Sequence, residues 1–385
     1  MSLFSRIKQI YMLSDKKVDS RFYYSRERQE DILNAIPEPK NNIERSFAQY
    51  LCQEKMMSAG KRIFVNVGGL VMLMVRIAVT PRKLPYYEAC DLVCMTDDME
   101  KRMPQELFVE YKSVRITGGL ENYLLTEKDL KWFCTRIVKQ YFCRPFFCMK
   151  LFIRMTQYRY CLDRYHPKAI AVTSEFSCSS SAMTDFCHRN GVKHINYMHG
   201  EKLWYIQDSF FRYDKCYVWY EHYIKNFISL RAYPKQFIVS IPPEFTNRPD
   251  ISGKPVDDYC YYLQAESREC LDRIFDEIVV LVKKGRTVRV RCHPIWTDAG
   301  YVKKKAEKSG ITVETGELLI NESILTCRHA ISLFSTVLLQ SHILGVPIII
   351  DDLTDPDRFE CLKKLDYIAL SVSYKPLSEE IKALF

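Results

Sequence analysis

Two of the eight histidines in this chain stand where an expected strand stops. His293 follows Thr287-Val288-Arg289-Val290-Arg291-Cys292 and precedes Pro294. Proline has no N–H and biases the residue before it toward extended geometry, so a strand ends there with the imidazole at the sheet edge. From that edge a ring N–H can donate to a phosphate or ribose oxygen, with Arg289 and Arg291 adding charge nearby. His199 follows the run Lys193–Tyr197 and Met198, and precedes Gly200 and Glu201, where glycine allows a sharp turn. An imidazole titrates near neutrality and can take the proton of a hydroxyl nucleophile. Glu175, in Thr173-Ser174-Glu175-Phe176-Ser177 after the preceding apolar run, either orients His199 or is itself the base. A histidine that merely closes a turn would leave the same trace at either position.

A second polar segment, Ser332-Leu333-Phe334-Ser335-Thr336, lies between a strand (330–333) and a helix (336–344) that ends in Gly345-Val346-Pro347. Hydroxyls at a helix start cap free N–H groups, and the same start attracts phosphate through those groups and the helix dipole. Capping alone needs no ligand. With His293 at another strand end of the same unit, the reading is a shared nucleotide-phosphate site of His293, Pro294, Arg291, Ser332, Ser335 and Thr336. On the other side, Gly200 and Glu201 join His199 and Glu175 as acceptor-side residues. Ser177–Ser181 lacks the glycines and lysine of a P-loop and reads as a helix start. The acid pairs Asp97-Asp98, Asp257-Asp258 and Asp351-Asp352 read as solvated loops, so neither a metal nor another cofactor is expected.

These residues need a scaffold of alternating strands and helices. Strands are expected at 168–172, 193–197, 215–219, 236–240, 259–263, 287–291, 329–333 and 347–350, with helices at 179–190, 266–284, 321–327 and 336–344. That alternation implies parallel sheets wound on both faces, hence an α/β chain of two Rossmann-like doubly wound domains facing a cleft. The stretch 246–256, rich in proline, glycine and polar residues, is the expected linker. It divides an N-terminal acceptor-side domain (1–245, with a helical extension) from a donor-binding domain (257–372) and a terminal helix (373–385). Upstream, strands are expected at 61–67 and 91–95, a helical stretch at 127–164, and 63–79 as core.

The 385 residues, 47% hydrophobic with 25 Tyr and 21 Phe, can build two cores. A net charge of +9, spread along the chain, favours an anionic partner. No basic-aromatic motif has the spacing of a nucleic-acid recognition module, so nucleic acid is excluded. Fifteen cysteines without a C-x-x-C pair read as buried thiols of a cytoplasmic protein rather than a zinc site. No run of 18 apolar residues occurs. The basic, amphipathic Ser2–Leu13 either packs on its own domain, as most such helices do, or touches the inner membrane surface.

The His-Gly after one strand, the His-Pro after another and the Ser-x-x-Ser-Thr before Leu-Gly-x-Pro resemble bacterial GT-B-type surface-polysaccharide transferases. The resemblance spans roughly 168–350. The group includes CDP-glycerol glycerophosphotransferases of teichoic-acid synthesis and capsule transferases of the Kdo and polysialic acid kind. The resemblance implies a GT-B-like fold and a glycosyltransferase, or related glycerophosphotransferase, of surface polysaccharide. It implies a CMP- or CDP-linked donor held by His293, Pro294, Ser335 and Thr336, His199 as catalytic residue, and a glycan or lipid-linked acceptor. The chain lacks the Asp/Glu-Asp/Glu-Gly triplet of bacterial sialyltransferases, which counts against that activity and leaves the donor open. A sugar-nucleotide epimerase of similar architecture and an inactive scaffold subunit of an assembly complex are the alternatives.

Overall fold

The structure, a computed structural model, describes residues 24–79, 88–96, 100–118 and 123–385. The chain divides into two compact units, one formed by the residues up to His199 with Trp204–Pro242, the other by Gly200–Leu203 with Pro243–Phe385. Ser2–Leu13 and Asp97-Asp98 lie outside the described residues.

The first unit is built on six parallel strands: β1 (Leu92–Cys94), β2 (Val114–Ile116), β3 (Ala169–Val172), β4 (Lys193–Tyr197), β5 (Lys215–Val218) and β6 (Phe237–Val239), in the order 2-1-3-4-5-6. Its helices are α1 (Arg26–Asn34), α2 (Asn42–Lys55), α3 (Ala59–Val79), α4 (Gln105–Glu110), α5 (Glu127–Trp132), α6 (Lys139–Tyr141), α7 (Pro145–Tyr165), α8 (Ser180–Arg189) and α9 (Glu221–Ser229). Every residue of β3 is buried, as a parallel strand covered on both faces requires. Met103, Leu107, Ile195 and Tyr217 are among the side chains of one of its cores.

Three expectations fail here. The stretch 61–67 is not a strand but the first part of α3, and 63–79 is not core: most of its described apolar side chains face outward, Val65 excepted. Length decides the first point, since an unbroken apolar segment of this extent suits a helix rather than a strand. Gly68-Gly69 does not end a strand either. Gly69 lets α3 lie against the start of α7, because a Cβ there would come within 2.6 Å of the Phe146 backbone. The expected helix at 127–164 is interrupted: a π-helical turn spans Phe133–Val138, and the path breaks at Arg144 before Pro145 opens α7.

The second unit carries β7 (Asp257–Tyr262), β8 (Val288–Arg291), β9 (Thr312–Glu314), β10 (Cys327–Ser332), β11 (Ile348–Ile350) and β12 (Tyr374–Pro376), all parallel. Its helices are α10 (Pro243–Thr246), α11 (Arg268–Lys283), α12 (Ala299–Ala306), α13 (Ile320–Leu325), α14 (Thr336–Ile343), α15 (Pro356–Lys364) and α16 (Leu377–Lys382). The order β12-β11-β10-β7-β8-β9 is 6-5-4-1-2-3 counted within the unit, the doubly wound dinucleotide-fold order. Tyr374–Pro376, expected in a terminal helix, is the edge strand, and Cys327 opens β10 instead of closing α13. The linker packs on this unit, with Arg248 Nη2 donating to the Leu344 carbonyl at 2.8 Å. The chain thus has two Rossmann-like parallel sheets, each flanked by helices.

Candidate functional site

In the first sheet the winding direction reverses between β1 and β3, and ligands of such sheets bind outside the strand ends at that reversal. Glu175 lies three residues beyond β3 and His199 two beyond β4, the adjacent strand. The structure brings them together: Glu175 Oε2 is 3.8 Å from His199 Nδ1. That exceeds a hydrogen bond, but catalytic contacts of this kind often tighten only around substrate. Glu175 is fully buried, whereas the His199 side chain keeps 30% of its surface. Asn196 Nδ2 donates to Glu175 Oε1 at 3.0 Å, while Asn196 Oδ1 accepts from the Ser174 N–H at 2.8 Å. The carboxylate is thereby fixed from inside β4. The Arg102 guanidinium donates to the His199 carbonyl, and the Phe176 ring meets the imidazole edge-on. A buried acid beside a partly exposed imidazole can orient the ring and stabilise its protonated form, the partnership a general base needs.

The other histidine of this strand behaves differently. His194 is fully buried between the Tyr158 hydroxyl (2.7 Å) and the Thr184 hydroxyl (2.8 Å), and burial drives its pKa down to about 3. It is a neutral core residue. Gly200 does not use the left-handed backbone open to glycine, so the turn after His199 does not require it. Glu201 is half-buried. Ser177–Ser181 does begin α8, although the N-cap Ser179 makes no side-chain capping bond.

In the second sheet the reversal falls between β7 and β10, and the hydroxyl segment follows β10. Ser335 is the N-cap of α14, its Oγ accepting from Val337 N–H at 3.2 Å. The same Oγ accepts from Gln264 Nε2 at 2.8 Å. The Gln264 carbonyl accepts from Thr297 Oγ1 at 2.9 Å, and Thr297 Oγ1 accepts from the His293 N–H at 2.8 Å. His293 and Ser335 are therefore joined by a four-residue hydrogen-bonded relay across three strand ends. On the far side the Tyr367 hydroxyl accepts from Ser335 N–H and donates to the Ser335 carbonyl.

The His293 ring is set by its own loop. Its Nδ1 accepts from the N–H groups of Ile295 (3.2 Å) and Trp296 (3.3 Å), which leaves Nε2 to carry the proton. Burial lowers its pKa, favouring that neutral tautomer. Pro294 is exposed and Thr336 half-buried.

Two expected nucleotide ligands are used elsewhere. Ser332 is fully buried, and its hydroxyl donates to the Tyr262 carbonyl at 2.8 Å, tying β10 to β7. Arg291 pairs with Glu314 and donates to the Leu318 carbonyl at 3.0 Å. Arg289 is likewise held by Asp257 and Glu314 and by the Ser323 carbonyl. Neither arginine is brought to the His293 loop by these bonds. Among the described residues the acid pairs are not solvated loops: Asp351 is fully buried and accepts from Tyr261, Leu353 and Thr354, Asp352 accepts from Ser378, Asp355 caps α15, and Asp257-Asp258 opens β7, with Asp257 paired to Arg289.

Sequence reasoning missed Gln264, Thr297, Tyr367 and Arg358. Gln264 was findable, since it lies two residues beyond the central strand β7, where the winding rule places ligands. Arg358 lies in the first turns of α15 with its guanidinium 5.7 Å from the Phe334 ring centre. It partly offsets the burial that pushes the Glu266 carboxyl up.

No family model matches the chain, and no curated protein matches it. Solved structures with a similar trace include the UDP-GlcNAc 2-epimerase of Methanocaldococcus jannaschii, 12% identical over 61% of this chain and 73% of that one, with a TM-score of 0.40. The UDP-N-acetylglucosamine 2-epimerase of Rickettsia bellii is 11% identical over 69% and 79%, with a TM-score of 0.42. The wall teichoic acid polymerase TagF is 8% identical over 85% and 88%, with a TM-score of 0.42.

Proposed function

We propose that the chain is a nucleotide-donor transferase of surface-polysaccharide synthesis, a glycosyltransferase or related glycerophosphotransferase. The observation that carries this reading is the relay His293–Thr297–Gln264–Ser335 at the winding reversal of the second sheet. It links the loop that carries an imidazole Nε2–H, beyond β8, to the start of α14, beyond β10, across the end of β7 between them; these are the two kinds of donor a nucleotide phosphate accepts from. The choice of CMP or CDP rests on the His-Pro and Ser-Thr segments and their resemblance to cytidine-donor transferases.

In this reading His293 Nε2 and the N–H groups at the start of α14 stabilise the negative charge that grows on the leaving phosphate. His199, oriented by Glu175, takes the acceptor hydroxyl proton as the acceptor oxygen bonds to the transferred group and the bond to the nucleotide breaks. The acceptor is a glycan or a lipid-linked glycan, which the net charge of +9 favours if it is anionic.

Thermal-shift and calorimetric titration with CMP, CDP, UDP and GDP tests it, since a ligand of the native state raises the melting temperature. The expected result is stabilisation by a cytidine nucleotide that His293→Ala removes. No stabilisation by any of the four overturns the reading. Turnover of a sugar nucleotide without an acceptor assigns an epimerase instead.

A further inference from the structure

We propose that α3 docks this protein on the surface of an anionic lipid bilayer, lying in the plane of the interface. The inference goes beyond the transferase reading and does not depend on it. It starts from an outward face that α3 should not have if it were ordinary core. Ile63, Val67, Leu70, Met74 and Ile77 recur at intervals of four, three, four and three, with Phe64 and Val71 beside them. This spacing places them on one side of a helix. All seven retain between 48% and 68% of their surface.

The opposite face is anchored. Val65 and Gly69 are buried, Gly69 sits against the Phe146 backbone, and Asn66 Oδ1 accepts from the Phe146 N–H at 3.4 Å. Asn66 Nδ2 also donates to the Arg62 carbonyl at 2.9 Å. The fold therefore holds α3 by its polar, small-residue side and presents the apolar side. The stripe runs from Ile63 to Ile77 of a 21-residue helix, about 21 Å at 1.5 Å per residue. Phe142, 69% exposed, precedes Cys143 and Arg144, which line a surface hollow with Ile63 and Val67, so the apolar patch continues beyond the helix.

Charge selects the occupant. Every ionisable residue of α3 is basic (Lys61, Arg62 and Arg76), and none is acidic. Lys61 and Arg62 lie about 135° and 125° around the helix from the midline of the stripe, one behind each edge at its N-terminal end, and Arg76 lies nearly opposite it. Long basic side chains there reach lipid phosphates while the apolar stripe enters the acyl boundary. A second copy fits less well. A two-fold interface pairs the patch with itself, so these cations would face cations with no acid on the helix between them. The helix is not long and apolar enough to cross the membrane, which leaves the interfacial arrangement.

The test is co-sedimentation of the full chain with phosphatidylcholine vesicles with and without phosphatidylglycerol. The wild type is expected to bind the anionic vesicles. Val67→Glu with Val71→Glu should lower the bound fraction about tenfold or more, with near-UV circular dichroism unchanged because both sites are exposed. Lys61→Gln and Arg62→Gln should each weaken binding about fivefold on anionic vesicles. Val71→Trp retains an apolar residue at an exposed site; its emission should shift to the blue with vesicles and be quenched by brominated lipid. Failure of the wild type to bind, equal binding by the double Glu variant, or an unquenched Val71→Trp overturns the proposal. So does a dimer, seen by sedimentation, that the Glu substitutions dissociate in the absence of vesicle binding; that assigns the face to a second copy.

Discussion

The strand ends of the two sheets follow the same winding rule but are finished with different chemistry. Beyond β3 and β4 the polar centre is an acid and an imidazole, Glu175 buried and His199 partly exposed. Beyond β7, β8 and β10 it is a relay through a backbone N–H, a hydroxyl, an amide and a second hydroxyl, with an imidazole held neutral at one end. The first pair is suited to moving a proton, because protonating the ring creates a charge that the buried carboxylate meets. The second is suited to holding a charge that is already there, because its groups donate without changing ionisation. Substitutions at the two edges should therefore fail in different measurable quantities.

The largest effect is expected at the first edge. His199→Ala should lower kcat by about 10²–10⁴ while nucleotide affinity by calorimetry stays unchanged. Glu175→Gln keeps the shape and the Asn196 bond but removes the charge. If Glu175 only orients, the pH profile of kcat/KM retains its acidic limb. If Glu175 is the base, that limb disappears. Loss of nucleotide affinity in either variant would break the contrast between the edges.

At the second edge the quantity at risk is affinity. His293→Ala removes one hydrogen bond to a charged group, so cytidine-nucleotide binding should weaken about 10- to 100-fold. Turnover at saturating donor should change less. The reverse pattern, intact affinity with lost turnover, would move His293 into the proton-handling group.

How much of this was legible follows from what each feature depends on. The run Lys193–Tyr197 is β4 to the residue, because its apolar Ile195 and Tyr197 alternate with polar residues at the period of a strand and turn residues bound it. The pairing of Glu175 with His199 was legible for a related reason, since each follows a strand and consecutive strands usually lie side by side. β2, β9 and β12 are three residues each and too short to show a period. α3 was misread because an apolar stretch shows its own period but not which of its faces the rest of the chain covers. The relay was invisible because Gln264 meets Thr297 and Ser335 over separations of 33 and 71 residues.

Acid should separate the two histidines of the first sheet. His194 has a folded pKa of about 3 against an ordinary 6.5. The unfolded chain therefore binds the proton more tightly. This contribution to stability is complete above pH 6.5 and declines as pH falls, by about 1.4 kcal/mol per unit, a tenfold change in the folding equilibrium. Urea midpoints measured between about pH 7 and pH 5 should show that slope. His194→Gln, if it folds, should flatten it. A flat wild-type profile would mean that His194 is not the buried neutral group described, and an acid limb in activity must be read only where the chain remains folded.

The smallest expected effect on the ligand is the most discriminating. Arg291 was expected to supply charge to the phosphate site, yet its guanidinium pairs with Glu314 and donates to the Leu318 carbonyl. Glu314 is 5% exposed, so that pair is internal structure. Breaking one partner of a buried pair costs up to about 3–5 kcal/mol when the other charge is left alone, and less here because Glu314 keeps Arg289. Arg291→Met should therefore lower the urea midpoint clearly. Nucleotide affinity, measured where the variant is still folded, should stay within about twofold of wild type, the range of a substitution that touches no ligand. A tenfold loss of affinity in a folded Arg291→Met would show that the guanidinium reaches the nucleotide. The second edge would then hold its ligand by full charge as well as by neutral donors, and its difference from the first edge would narrow to where the proton goes.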